Sequence, residues 1–305
     1  MSDKPRILTG DTPTGSLHLG HWVGSVKRRV ELQHTHDCYF IIANMHAYTT
    51  RLAKSDEIKR DSIHIVRDYL AMGIDPEKAT IFLQSEIPAI AELTFLFAML
   101  LPFNRVMRNP TLKTEIELKG LGETYSFGFP LYAVGQTADI LAFRPVGVPV
   151  GEVGRLMGID GVNKMSKSLN NAIFIADDPK EVEKKVKKIF TGRQSPTEPG
   201  DINNVLFQYV RTFIKDKARV AELEEKYAKG DNLGDGHVKL EVAAAINELL
   251  APMRERRAKY EGRDDLVLEI LKAGCERANK VAEATLASVK QHANLVAWPR
   301  RLSYV

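Results

Sequence analysis

The chain has 305 residues, of which 44% are hydrophobic and 27% are charged. This composition is ordinary for a globular protein and excludes collagen-like, low-complexity and wholly disordered classes. At roughly 100–200 residues per domain, the length allows two domains. The 43 Lys and Arg against 39 Asp and Glu give a formal net charge of +4, which is compatible with a polyanionic partner but far from an obligate basic arm.

The sequence shows neither the pattern of a targeting signal nor a cysteine pattern typical of disulfide-rich or zinc-binding proteins. Cys38 and Cys275 are too few and too far apart for a disulfide framework or a cysteine-rich zinc site. The N-terminal segment has no apolar signal core, and no window approaches the about 18 uninterrupted apolar residues of a membrane span. We therefore expect a cytoplasmic protein without a membrane partner.

Short apolar runs alternate with longer amphipathic runs between residues 4 and 152, a pattern typical of a parallel sheet covered by helices. The predicted strands are Ile7–Thr9, Cys38–Ala43, Thr80–Gln84 and Val148–Val150. The predicted helices are about Gly20–Leu32, Ser55–Met72, Ile90–Leu101 and Pro130–Phe143. This half of the chain is therefore predicted to be α/β.

Strand patterns end after residue 177, and only helical periodicity follows. The predicted helices there are Pro179–Phe190, Val205–Ile214, Arg219–Lys229, Val238–Glu261 and Leu266–His292. The fourth of these carries a basic end, made of Arg254, Arg256, Arg257 and Lys259. We expect a solvated helix face at that end, with nucleic-acid contact as the alternative.

The first motif is GDTPTGSLHLGH over residues 10–21, directly after the first predicted strand and before a helix. A turn of this kind, at the carboxyl edge of a parallel sheet, is where α/β proteins bind nucleotides, because the helix N-terminus offers free N–H groups to phosphate. His18 and His21 are spaced to lie on one side of the first helical turn as donors to a phosphoryl group. No third ligand accompanies them, so we predict no protein metal site.

The second motif is KMSKS over residues 164–168. Its two ammonium groups, Lys164 and Lys167, suit a triphosphate, because lysines on a mobile loop can stabilise the charge of a departing pyrophosphate. By itself such a pentapeptide is usually a solvated loop.

The two motifs in this order resemble the signature motifs of class I aminoacyl-tRNA synthetases. The resemblance implies a Rossmann-type catalytic domain over 1–177, a helical anticodon-recognition domain over 178–305, and a homodimer. It also implies ATP with Mg²⁺, and His18, His21, Lys164 and Lys167 as catalytic residues. The implied ATP contacts are Thr12, Pro13, Thr14, Gly20, His21, Lys113, Gly151, Glu152, Leu156, Lys164, Met165, Ser166, Lys167 and Ser168.

Within the class, the chain is most similar to the tryptophanyl subgroup. The similar stretches are ILTGDTPTGSLHLGHWVGS, NMHAYTT, YLAMGIDPEKATIFLQS, LYAVGQTADILAF, VPVGE and GRLMGIDGVNKMSKSLNNAI. The resemblance implies activation of L-tryptophan to an adenylate, followed by transfer to tRNA(Trp).

An amino-acid pocket is predicted around Tyr132, Gln136 and Asp139, which fall at i, i+4 and i+7 and share one helix face. A buried carboxylate that accepts the indole N–H would reject phenylalanine, because the acid would be left unpaired. The resemblance adds His46, Val148 and Val150 to the pocket. A carboxylate accepts equally well from a phenol, so tyrosine is the alternative substrate.

One departure from the family follows Glu152. Members of the family continue through an acidic-amide pair and a full helix, whereas here only Gly151–Gly154 separates the predicted strand Val148–Val150 from one predicted to begin near Arg155. A parallel crossover takes about a dozen residues or more. We expect either a break in the chain there or, slightly favoured, a true deletion that exposes apolar surface near Val148–Val150 and weakens amino-acid binding. A non-catalytic protein that binds nucleotide or RNA is therefore a further alternative.

Overall fold

The computed structural model describes residues 4–118, 120–122, 124–147 and 156–296. A parallel sheet is formed by β1 (Arg6–Asp11), β2 (Asp37–Ile42) and β3 (Ala79–Leu83), in the order β1-β2-β3. Three predicted strands are thereby confirmed to within two residues. The fourth, Val148–Val150, lies outside the described residues, although Gly147 just before it forms a parallel bridge with Ile7 of β1.

The helices of the first half are mostly those that periodicity predicts. The structure has α1 (Leu19–His21), α2 (Lys27–Leu32), α3 (Asn44–Arg51), α4 (Ser55–Met72), α5 (Pro88–Leu100), α6 (Phe103–Val106), α7 (Pro110–Leu118) and α8 (Gly128–Phe143). Both ends of α4 are confirmed. It begins with two acids that favour a helix N-terminus and ends at Gly73, whose φ of +105° few other residues adopt.

The prediction of one α-helix over Gly20–Leu32 is wrong. A π-helical turn, Trp22–Val26, lies between α1 and α2. Such turns widen a helix locally and are frequent at functional sites, and this one directly follows the first motif.

The second half is helical, as predicted. It contains α9 (Pro179–Lys187), α10 (Val205–Phe213), α11 (Lys217–Lys229), α12 (Asp235–Ala258) and α13 (Asp264–His292). Among the described residues, no helix is both long enough and apolar enough to span a membrane.

The C-terminal helices complete the core around the sheet. Apolar residues of α5, α8 and α13 cover one face of the sheet, while α4 and α12 belong to the core on the other face. At Gly274 of α13, a Cβ atom would lie 1.8 Å from the Ile81 carbonyl oxygen, so only glycine permits this approach to β3. The predicted boundary between residues 177 and 178 stays a prediction.

The arginines at the basic end of α12 do not form the solvated face that we expected, whereas Lys259 is exposed. Arg254 donates to the Asp177 carbonyl at 2.8 Å, and Arg256 donates to the Ala71 carbonyl at 2.7 Å. Arg257 donates to the buried Asp68 carboxylate at 3.2 Å. These three arginines therefore bind the first half of the same chain, where the buried Ala71 carbonyl and Asp68 carboxylate require partners.

Candidate active site

The first motif is fixed by backbone hydrogen bonds on both sides of His18. The Leu17 N–H donates to Asp68 Oδ2 at 2.7 Å, and the Leu19 N–H donates to the Ile173 carbonyl at 2.9 Å. The Ile175 N–H in turn donates to the Leu17 carbonyl at 3.1 Å. The chain that follows the second motif is therefore paired with the first motif.

The two motifs are in direct contact, although about 150 residues separate them. The Lys167 ammonium donates to the Gly15 carbonyl, and the Gly20 N–H donates to Met165 Sδ at 3.4 Å. Gly15 has a φ of +112°, and a Cβ atom at Gly20 would lie 3.0 Å from the His18 imidazole. Glycine is thus favoured at position 15 by the backbone conformation of the turn and at position 20 by the close approach of the His18 ring.

The turn over residues 12–15 is also held from α3. The Arg51 guanidinium donates to the Pro13 carbonyl and forms ion pairs with Glu57 at 3.0 Å and Asp61 at 3.2 Å. Cations therefore bind two carbonyl groups of this turn, Pro13 and Gly15. An anionic ligand at this turn would therefore lie close to both Arg51 and Lys167.

Asn171 gives the second motif its shape. Its amide nitrogen donates to Asp160 Oδ2 at 2.9 Å and to the Lys164 carbonyl at 3.2 Å, while its Oδ1 accepts the Ser166 N–H at 2.7 Å. The side chain is buried, so these bonds replace water. Lys164 is exposed and Lys167 is half-buried.

The two histidines are neutral near pH 7. Burial, followed by electrostatic interactions with His21 and Lys167, lowers the pKa of His18 to about 3. Burial lowers the pKa of His21 to about 4, although the Asp11 carboxylate opposes this shift. His21 Nδ1 accepts the His18 N–H at 3.1 Å, which assigns the ring proton of His21 to Nε2. These side chains are therefore hydrogen-bond donors and not cations.

A buried ion pair lies beside the motif and was missed by the sequence analysis. Arg29 donates to Asp11 Oδ2 at 2.8 Å and to the Tyr69 hydroxyl at 2.7 Å, and Tyr69 donates to Asp11. Burial alone would raise the pKa of Asp11, but Arg29, His21 and Tyr69 outweigh it and hold this pKa at about 2. The position of Asp11 at the carboxyl end of β1 was the feature of the sequence that could have indicated this ion pair.

The predicted amino-acid pocket is assembled around Asp139, which is 8% exposed. Gln84 Nε2 donates to both Asp139 oxygens, at 2.9 and 3.0 Å, and Gln84 Oε1 accepts the His46 N–H at 3.0 Å. The rings of His46 and Tyr132 meet edge to face at 4.6 Å. Burial raises the pKa of Asp139 to about 7, although the bond from Gln84 opposes it. The sequence analysis did not predict Gln84 as a pocket residue, although its position as a polar residue directly after the buried strand β3 could have indicated it.

A cavity of about 240 Å³ connects the first motif with this pocket. It lies at the carboxyl ends of β1 and β2, where open α/β sheets bind ligands. Its lining includes Asp11, Thr12, His46, Gln136 and Asp139. The sequence-predicted residues Gln136 and Asp139 therefore share one cavity with the start of the first motif.

The remaining predicted residues are distributed as follows. Pro13 is buried, and Thr14 and Ser168 are exposed, with the Ser168 hydroxyl 3.1 Å from that of Ser166. Leu156 is buried and its carbonyl accepts the Met165 N–H at 3.0 Å. Lys113 is exposed on α7. Val148, Val150, Gly151 and Glu152 lie outside the described residues, as does the junction after Glu152.

No group of three or more His, Cys, Asp or Glu side chains suited to a metal ion occurs in the described ranges of the chain. The polar groups around the two motifs include ammonium, imidazole and backbone N–H groups. Such groups bind the oxygens of an anion.

Comparison with known proteins agrees with this geometry. The family model described as tRNA synthetases class I (W and Y) matches residues 1–152 and 155–251. A tryptophan–tRNA ligase of Streptococcus mutans is 41% identical and one of Lactococcus lactis 40%, each over 94% of this chain and 97% of the relative. A tryptophanyl-tRNA synthetase of Campylobacter jejuni, solved with ADP and tryptophan, superposes with a TM-score of 0.83 at 28% identity over 95% of this chain and 99% of that one.

The comparison also bears on the predicted departure after Glu152. The family match is interrupted between residues 152 and 155. The alignment with the Streptococcus mutans protein spans 333 positions, more than the 305 residues of this chain, so that relative has residues without a counterpart here. The family match and the likeness to the Campylobacter jejuni structure confirm the family and the α/β fold class predicted from the motifs: the chain belongs to the class I tRNA synthetases of the tryptophanyl and tyrosyl family.

Proposed function

We propose that the chain is a tryptophan–tRNA ligase, which activates L-tryptophan with ATP to tryptophanyl-adenylate and transfers the tryptophanyl group to tRNA(Trp). The observation that carries this proposal is the meeting of the two motifs, Lys167 with Gly15 and Gly20 with Met165, beside a cavity lined by Asp139. One end of the site suits a triphosphate and the other end suits an indole.

The phosphates of ATP would bind between the two motifs. The turn at residues 12–14, Gly20 and the segment 164–168 supply the contacts, and Leu156 supports the second motif through its bond with Met165. Because the donors here bind phosphate oxygens, Mg²⁺ would enter with the triphosphate and neutralise part of its charge. Proposed contacts of Lys113, Gly151 and Glu152 with ATP follow from the family resemblance.

Lys167 has the central role at the departing pyrophosphate. Burial lowers its pKa to about 8, so the ammonium is still mostly charged at pH 7. When it leaves the Gly15 carbonyl for a phosphate oxygen, it stabilises the charge that develops in the transition state. Lys164 adds a second ammonium from the exposed part of the loop, and the neutral His18 and His21 donate hydrogen bonds to the reacting phosphoryl group.

Asp139 is proposed to select tryptophan. Its carboxylate would accept the indole N–H, which is the single polar side-chain atom of tryptophan. Phenylalanine would leave a buried acid without a ligand partner, which is costly. Tyr132, His46 and Gln136 line or border the same pocket, and the resemblance adds Val148 and Val150.

The departure from the family that the sequence predicts after Glu152 favours a second candidate function, a synthetase-like protein that binds nucleotide or RNA without catalysis. The interrupted family match and the longer alignment with the Streptococcus mutans relative support it. ATP–pyrophosphate exchange measured with tryptophan and with tyrosine separates the candidates. Exchange with tryptophan supports the ligase and exchange with tyrosine the alternative substrate, whereas exchange with neither, despite measurable ATP binding, supports the non-catalytic protein.

A homodimer is proposed on the basis of an exposed apolar surface. Phe95, Met99, Leu100, Phe103 and Phe127, on α5, α6 and just before α8, are each more than half exposed. Large exposed apolar side chains on neighbouring elements commonly mark an interface. Sedimentation equilibrium tests the proposal: a monomer at micromolar concentration would overturn it. The cytoplasmic location and the anticodon-recognition role of residues 178–305 stay predictions.

A further inference from the structure

We propose that Gln84 is a positioning residue for amino-acid selectivity, which holds the Asp139 carboxylate in the orientation that accepts the indole N–H. The inference rests on the proposed function. It concerns a residue that touches Asp139 and does not itself belong to the two motifs.

The hydrogen bonds of Gln84 fix its side chain in one orientation. Its Nε2 donates to both oxygens of Asp139, and its Oε1 accepts the backbone N–H of His46. In the flipped orientation the amide oxygen would face the Asp139 carboxylate, and the amide N–H groups would face the His46 N–H, so both contacts would be unfavourable. The amide therefore presents its N–H group to the Asp139 carboxylate.

The short turn that carries Gln84 is held on both sides. Asn44 donates to the Ser85 hydroxyl at 2.8 Å and accepts the Ser85 N–H at 3.0 Å. From α13, Asn279 donates to the Glu86 carbonyl at 2.8 Å. The position of the amide is therefore set by the fold before any ligand binds, which is the condition for pre-organised recognition.

The amide also favours the ionised form of Asp139. Burial opposes ionisation, and the bond from Gln84 lowers the pKa of this carboxyl relative to burial alone. The other titratable groups on the elements around it are His46 on α3, Asp11 on β1, Tyr132 on α8 and Cys275 on α13, while Glu92 on α5 is paired with Lys290. Removal of the amide should therefore raise the pH at which tryptophan binding is half-maximal.

The test compares Gln84→Met with the matched variant Gln33→Met. Gln33 is also a buried, hydrogen-bonded glutamine, but it contacts Val30, Gly73 and Asp75, away from the cavity. In ATP–pyrophosphate exchange, Gln84→Met should lower the ratio of kcat/KM for tryptophan over phenylalanine on the order of tenfold, since a buried acid loses its orienting donor. It should also move the pH midpoint of kcat/KM for tryptophan upward, while Gln33→Met changes neither.

A second variant covers the case in which Gln84→Met does not fold. Gln84→Glu keeps the shape but donates only when protonated, so kcat/KM for tryptophan should fall as pH rises from 6 to 8, opposite to wild type. Wild-type selectivity and an unchanged pH profile in the folded Gln84 variants would overturn the inference. Absence of tryptophan activation in the wild-type protein itself would instead overturn the proposed function.

Discussion

The two ends of the proposed site, the phosphate end and the indole end, are built in different ways. The phosphate end comes from two short contiguous segments, residues 10–21 and 164–168, whose contacts use backbone groups such as the Gly15 carbonyl and the Gly20 N–H. The indole end comes from single side chains of three separate elements, His46, Gln84 and Asp139. Contiguous backbone-based sites leave motifs in a sequence, whereas a pocket of scattered side chains leaves only isolated polar residues.

Two aspartates at the same cavity, the half-buried Asp11 and the buried Asp139, show the same contrast electrostatically. Asp11 pairs with the Arg29 guanidinium, which holds its pKa at about 2. Asp139 has only the neutral amide of Gln84, and burial raises its pKa to about 7. A carboxylate whose negative charge is paired with a cation is suited to stabilise the fold. A carboxylate that has only a neutral amide as partner gains most from a ligand that donates a hydrogen bond.

The largest expected effect belongs to the phosphate end. Lys167→Ala should lower the rate of adenylate formation by about 10²–10³, because the lost charge acts when pyrophosphate departs. Lys164→Ala should act in the same direction. Exchange kinetics and equilibrium dialysis of tryptophan provide the two measurements, and equal losses of rate and tryptophan affinity would contradict the assigned role.

The corresponding change at the indole end is Asp139→Ala. It should cost tryptophan activation about 2–4 kcal/mol, because the indole N–H loses its acceptor and its orientation, with little change in ATP affinity. The measurement is kcat/KM for tryptophan and for phenylalanine in exchange. A variant that still discriminates between these amino acids would refute the pocket assignment.

The sequence predicts contiguous segments of the molecule better than it predicts contacts between scattered side chains. The sequence pattern of α4 predicts both of its ends, and the two motifs predict the segments that meet at Lys167 and Gly15. The helices α3 and α7 were missed, because segments such as NMHAYTTR lack an apolar period and carry β-branched threonines. Contacts from distant residues, such as Asp68 with Leu17, depend on tertiary packing that no local pattern records.

A smaller effect is expected from the residue that shapes the second motif. Asn171→Ala should lower the free energy of unfolding by about 1–3 kcal/mol, because it leaves the Ser166 N–H and Asp160 without their buried partner. It should also slow exchange without weakening tryptophan binding. Urea unfolding measures the first effect, with Asn203→Ala, an exposed asparagine outside the motifs, as control. Equal stability of the two variants would show that the loop keeps its shape without Asn171.

The smallest effect is a pH dependence that separates the two ends. Lys167, with its pKa lowered to about 8, is charged below that pH and loses its charge above it. In the free enzyme, kcat/KM for ATP should therefore fall as pH rises through about 8, by about tenfold for each further unit. His18 and His21 stay neutral throughout this range, so they add no change near neutrality.

Lys167→Arg, whose guanidinium remains charged, should remove the alkaline decline while leaving the dependence of kcat/KM for tryptophan near pH 7, which belongs to Asp139. An alkaline decline that persists in Lys167→Arg would assign it to another group and would break the link between this lysine and the phosphate end.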